Sequence, residues 1–86
     1  MNDSDMWDRL INILEDPTQQ SLVYVYRVGP DGTLVKPCVL KTYTYPGLPE
    51  TLMYRYGGGD FKLLIRRGRR MIFSGEISVL RGLCTK

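Results

Sequence analysis

Two short turns between β-forming runs constrain the fold of this chain most. The first, Gly-Pro-Asp-Gly at residues 29–32, separates the run 22–28 from the run 33–43, with proline pre-set for the first central turn position. The second contains Gly68, which supplies the positive φ that a tight turn needs between two further β-forming runs. Because such short connections join antiparallel neighbours, the sequence predicts two β-hairpins.

An amphipathic helix is predicted before each hairpin. The first helix ends at Asp16-Pro17, because the residue before a proline is disfavoured in the α region. The second helix begins near Pro49, which suits the first helical position, and stops at Gly57. Apolar side chains recur at helical spacing in both segments: Met6, Trp7, Leu10, Ile11, Ile13 and Leu14 in the first, and Leu48, Leu52, Met53 and Tyr56 in the second.

The order of elements, helix-strand-strand followed by helix-strand-strand, predicts the α+β class. We expect αββαββ order, with one roughly four-stranded antiparallel sheet and both helices packed on one face, because neither hairpin can bury its apolar side alone. The alternative is a small bent β-barrel with one N-terminal helix, which bulges at Pro37 and at Gly75 would favour. The fourth strand is expected from Arg70 toward Leu80. The predicted core consists of Trp7, Leu10, Leu14, Val23, Val25, Leu63, Ile65 and Ile72.

Length and composition favour one small soluble domain covering residues 1–86. The hydrophobic fraction of 43% and the charged fraction of 24% are typical of a globular protein. No apolar run approaches the roughly 20 residues that cross a bilayer, and the acidic start of the chain is unlike a signal peptide. We therefore expect a cytoplasmic protein without a membrane partner.

The residues needed for common catalytic and metal sites are missing from the sequence. The chain contains no histidine, and its two cysteines, Cys38 and Cys84, are far apart. Zinc sites built from cysteine and histidine and histidine-dependent nucleophiles therefore lack their components. We predict no catalytic residue, no metal, no cofactor and no enzymatic activity. The cysteines could form a disulfide, but two small buried side chains are the interpretation favoured for a cytosolic domain.

Charge is distributed unevenly along the chain. Residues 1–35 carry six acids and two bases, whereas residues 36–86 carry ten bases and three acids, within an overall net charge of +3. Five of the twelve basic residues fall within residues 62–70. Either the acidic first helix lies beside this basic hairpin and neutralises it, or the two charged regions lie on different surfaces.

The basic hairpin predicts a non-enzymatic nucleic-acid-binding module. Its arginines would contact phosphates, so sequence preference would be weak. Six tyrosines in three i, i+2 pairs support either a half-buried sheet face with hydroxyls at its rim or a surface on which bases stack. The candidate binding residues are Lys62, Arg66, Arg67, Arg69, Arg70, Tyr54, Arg55 and Tyr56.

The alternative function is a small protein-interaction adaptor or inhibitor module. Such a module would present the arginines to an acidic protein surface or pair an exposed strand edge with a partner. A homodimer formed through an edge strand is a version of the same hypothesis.

Overall fold

The structure, a computed structural model, describes residues 3–16 and 18–77, with side chains from residue 8 onward. The predicted α+β class and αββαββ order are confirmed. With 13 and 9 residues, neither of the described helices is long and apolar enough to cross a membrane. The elements are α1 (Asp3–Glu15), β1 (Leu22–Val28), β2 (Leu34–Tyr43), α2 (Leu48–Tyr56), β3 (Phe61–Arg67) and β4 (Arg70–Glu76).

The four strands form one open antiparallel sheet. Their spatial order is β2-β1-β3-β4, and every neighbouring pair runs antiparallel. The two hairpins therefore meet through their first strands, β1 and β3, which occupy the centre. The strands β2 and β4 lie at the two edges, so the sheet is open and the barrel alternative is wrong.

The core lies between the two helices and one side of the sheet, which we call the covered face. In the centre of the sheet Val23 pairs with Ile65 and Val25 with Leu63, and all four side chains are fully buried. They form one cluster with side chains from both helices, namely Leu10, Leu14, Leu48 and Leu52, together with Ile77. Both helices therefore pack on the same face, as predicted.

The predicted core is confirmed at six of its eight positions. These are Leu10, Leu14, Val23, Val25, Leu63 and Ile65. Ile72 is half-buried and packs against the edge of the core. The side chain of Trp7 lies outside the described residues.

The sheet has two irregularities, and the sequence predicted one of them. Four residues of β2, 36–39, lie opposite Tyr26 of β1, so the irregularity expected at Pro37, in an edge strand, is confirmed. The bulge expected at Gly75 is wrong, because Gly75 pairs directly with Leu63. The register of β4 shifts instead at Ile72.

The glycine at position 75 has a packing role. A Cβ there would lie 3.0 Å from the ring of Phe73, so glycine leaves room for that ring on the covered face. The fourth strand ends at Glu76, which is earlier than predicted, and the rest of the expected strand toward Leu80 lies largely outside the described residues.

Cys38 is half-buried in β2 and is not in a disulfide. The prediction of a buried side chain is therefore wrong for Cys38, which is half-buried in the irregular segment of an edge strand. Its counterpart, Cys84, lies outside the described residues.

Candidate nucleic-acid interface

The side of the sheet opposite the helices carries aromatic, aliphatic and basic side chains. Side chains alternate between the two faces of a strand, so those between the buried core positions point away from α1 and α2. We call this surface the open face. It consists of Leu22, Tyr24, Tyr26, Lys41, Tyr43, Lys62, Leu64, Arg66, Met71, Ser74 and Glu76.

The pairing of the strands arranges the open face in three rows that cross the sheet. Tyr43 and Met71, at the two ends of the first row, are 59% and 51% exposed. Three cations and one acid give the face a net charge of +2. The rows are Tyr43-Leu22-Arg66-Met71, Lys41-Tyr24-Leu64-Ser74 and Tyr26-Lys62-Glu76.

Two tyrosine rings lie side by side along β1. The ring centroids of Tyr24 and Tyr26 are 6.3 Å apart, and the ring planes differ by 22°. The Nζ atom of Lys41 lies 5.6 Å from the centroid of Tyr24, within the range of a cation–π contact. Both rings are half-buried on the open face, which confirms the predicted inward direction of Val23 and Val25.

The four hairpin arginines do not form a single cluster. Arg66 lies on the open face, where it pairs with Leu22 of β1 and Met71 of β4. Arg67, the next residue, belongs to the covered side and pairs with Arg70 at the end of the ladder. Arg69 is exposed in the turn, next to Gly68, whose φ of +64° is the left-handed conformation that the sequence predicted for this turn.

Arg67 is tied to the interior of the protein. Its Nε–H donates a hydrogen bond to the Oγ atom of Ser21 at 3.1 Å, and Ser21 is only 1% exposed. The backbone N–H of Ser21 donates to Oγ1 of Thr44 at 3.1 Å, and the N–H of Thr44 donates to the Ser21 carbonyl at 2.9 Å. Arg67 therefore stabilises the end of the β1–β2 ladder.

The acidic end of α1 lies on the same side as Arg67. Hydrogen bonds from the side chain and backbone of Thr18 hold the pKa of Asp16 below its ordinary value, and the charge of Arg67 lowers this pKa further. Arg67 and Arg70 also line an open pocket of about 380 Å³ with Arg9 of α1. The charge of Arg67 therefore acts on Asp16 beside α1, whereas the sheet lies between α1 and Arg66.

The remaining candidate residues lie on α2 in the helix layer. Tyr54 is 92% exposed, and Arg55 is also exposed. The ring of Tyr56 lies 5.0 Å from that of Phe61, at the start of β3. The turn follows the other end of β3, roughly 20 Å away along a strand of seven residues. The structure therefore does not bring these three residues together with Arg66.

Sequence reasoning missed two basic residues, one on the open face and one on the covered side. Lys41 lies on the open face over Tyr24, and Arg9 lies beside Arg67 and Arg70. Lys41 and Tyr43 are two residues apart in one strand, and this spacing indicates that both lie on one face. Placing Lys41 beside Tyr24 required the register of β2, which shifts across residues 36–39.

Comparison of the chain with known protein families, with curated proteins and with solved structures found no match.

Proposed function

We propose that this chain is a non-enzymatic nucleic-acid-binding module of the cytoplasm. Its phosphate contacts come from the cations on the open face and from the exposed arginine of the turn, which are Lys41, Lys62, Arg66 and Arg69. The observation that carries this proposal is the position of Arg66, which lies on the open face while its neighbour Arg67 is bonded to a buried serine.

The sheet separates the open-face cations from the acids of α1. A packed layer of secondary structure is about 10 Å thick, and charges are screened beyond about 8 Å at physiological ionic strength. Asp8 and Glu15 are exposed on α1, on the far side of the sheet and its core. Glu76 lies opposite Lys62 in the same row, so the positive charge available to an external polyanion such as a phosphate backbone is mainly that of Arg66 and Lys41.

Sequence preference should be weak under this proposal. Contacts from lysine and arginine to phosphates fix the position of a nucleic acid and carry no information on base identity. The hairpin turn and the open-face cations supply contacts of this kind.

A salt series on a matched pair of variants tests the proposal. Arg66→Ala and Arg55→Ala each remove one positive charge, but Arg55 is exposed on α2 in the helix layer. We expect Arg66→Ala to weaken oligonucleotide binding and to lower the slope of log affinity against log salt by about one unit. Arg55→Ala should leave both close to the wild-type values. Equal losses in the two variants would contradict a site on the open face.

The alternative function is a protein-interaction module, and the same binding experiment distinguishes it from nucleic-acid binding. Its support is the apolar surface of Tyr43, Met71, Leu22 and Leu64 on the open face, together with the two sheet edges. A module of this kind would bind an acidic protein surface or pair through β2 or β4. Absence of oligonucleotide binding even at low salt, together with a dimer whose population rises with concentration, would replace our proposal with this one.

A further inference from the structure

The tyrosines of the open face have no role in the phosphate contacts proposed above. We propose that Tyr24, Tyr26 and Tyr43 stack the unpaired bases of a single strand, so that the protein binds single-stranded nucleic acid in preference to duplex. This inference rests on the proposed function and specifies the form of nucleic acid, single-stranded or duplex, that the site binds.

The three rings of the open face lie in adjacent rows of the sheet. Tyr24 and Tyr26 follow one another along β1, with ring centroids 6.3 Å apart and planes that differ by 22°. Tyr43 pairs with Leu22 in the adjacent row and is more than half exposed. Partial burial by neighbouring side chains holds the rings of β1 in place, which lowers the entropy lost when a base stacks on them.

Each of the three rows holds one tyrosine and one cation, and the row of Tyr26 also holds Glu76, opposite Lys62. Tyr43 shares its row with Arg66, and Tyr26 pairs directly with Lys62. In the middle row, Lys41 extends over the ring of Tyr24. The surface therefore repeats an aromatic ring beside a positive charge, which matches the repeat of base and phosphate along a single strand.

A duplex fits this surface poorly. Its bases are stacked on one another and paired, so their faces are closed to the tyrosine rings. The major groove is about 12 Å wide and admits a helix or a two-stranded ribbon, whereas four strands spaced about 4.8 Å apart span roughly 14 Å. A duplex would therefore contact the cations through its phosphates and gain nothing from the rings.

Fluorescence anisotropy with labelled 20-nucleotide probes tests the inference. The probes are single-stranded DNA, single-stranded RNA and duplex DNA, each titrated at low salt. The variants are Tyr24→Leu, the conservative Tyr24→Phe, and Tyr54→Leu, which removes an exposed tyrosine from α2. Circular dichroism checks that each variant is folded, and Tyr26→Leu serves as a second open-face variant if Tyr24→Leu unfolds.

We expect the wild type to bind the single strands more tightly than the duplex. Tyr24→Leu should weaken single-strand binding by roughly 5- to 150-fold, the range that one base–aromatic stack carries, and leave duplex binding unchanged. Tyr24→Phe should keep the single-strand affinity, because the ring and not the hydroxyl stacks, and Tyr54→Leu should keep it as well. The DNA and RNA arms show which backbone the site prefers, and either preference agrees with stacking.

Two results would overturn the inference, and they are distinguishable. Equal binding of single strand and duplex, weakened by Arg66→Ala but not by Tyr24→Leu, would remove the stacking role and leave phosphate binding in place. Absence of binding to every probe at low salt would overturn both this inference and the proposed function.

Discussion

The covered and open faces of the sheet differ in what their side chains contact. In β3 the adjacent residues Leu63 and Leu64 lie on opposite faces, the first fully buried against the helices and the second half-buried on the open side. The covered face gathers buried aliphatic side chains from α1, β1, α2 and β3 together with Ile77, whereas the open face carries rings beside cations. Neighbouring residues in one strand therefore lie in two different environments, the hydrophobic core on one face and the proposed binding surface on the other.

The same comparison changes the meaning of the arginine run. In the sequence, Arg66, Arg67, Arg69 and Arg70 form one basic segment, but only Arg66 belongs to the open face. Arg67 donates to buried Ser21 and lies near the acidic end of α1. A run of like charges in a hairpin is thus divided by strand alternation and is not a single charged patch.

The largest expected effect compares the two leucines of β3. Leu63→Ala should lower the free energy of unfolding by about 2–5 kcal/mol, because it opens a cavity in the core beneath both helices. Leu64→Ala should cost about 1 kcal/mol or less, since its side chain is half-buried on the open face. Urea denaturation of both variants measures the difference. Equal losses would contradict the assignment of the two faces.

A smaller effect is expected at the turn that follows Arg66 and Arg67. Gly68 has a φ of +64° with open space around it, so Gly68→Ala should cost about 1 kcal/mol through backbone strain alone. Gly58 has equal space and no positive φ, so Gly58→Ala should be neutral or slightly stabilising. Thermal unfolding of the pair gives the comparison, and a neutral Gly68→Ala would show that the turn tolerates another conformation.

The smallest effect concerns the pH dependence of stability. It involves Asp16, which follows α1, and Asp31, in the turn between β1 and β2. Hydrogen bonds from Thr18 and Thr33 lower the pKa values of Asp16 and Asp31 respectively. A lowered pKa in the folded state adds stability at neutral pH, which is lost as the pH falls below about 4. Thr18→Val should raise the pKa of Asp16 toward its ordinary value and leave Asp31 unchanged. Carboxyl-carbon NMR titration measures both, and an unchanged Asp16 would show that Thr18 is not the cause.

Local patterns in the sequence predicted the fold well. The alternation of residues 22–28 predicted that Val23 and Val25 face the helices, and the prolines and glycines predicted both hairpin turns. The assignment of a bulge to Gly75 failed because that glycine makes room for the Phe73 ring, a contact that depends on tertiary packing.

The composition of the candidate site was less predictable. The bond from Arg67 to Ser21 joins residues 46 positions apart, and no local pattern marks it. The contact of Lys41 with Tyr24 depends on the four residues of β2 that lie opposite Tyr26. Both features follow from strand register over long sequence distances, which alternation alone does not determine.

The most direct test of the division between the faces is a paired measurement on Arg66→Ala and Arg67→Ala. The two variants each remove one positive charge, at adjacent positions. Both are assayed for single-stranded oligonucleotide affinity and for the free energy of unfolding. We predict that Arg66→Ala loses affinity while its stability changes by less than about 0.5 kcal/mol. Arg67→Ala should keep its affinity and lose about 1–3 kcal/mol of stability, because it leaves the buried Ser21 hydroxyl without its partner. Equal losses of affinity with unchanged stability in both variants would show that the hairpin acts as one charged tip and would contradict this account.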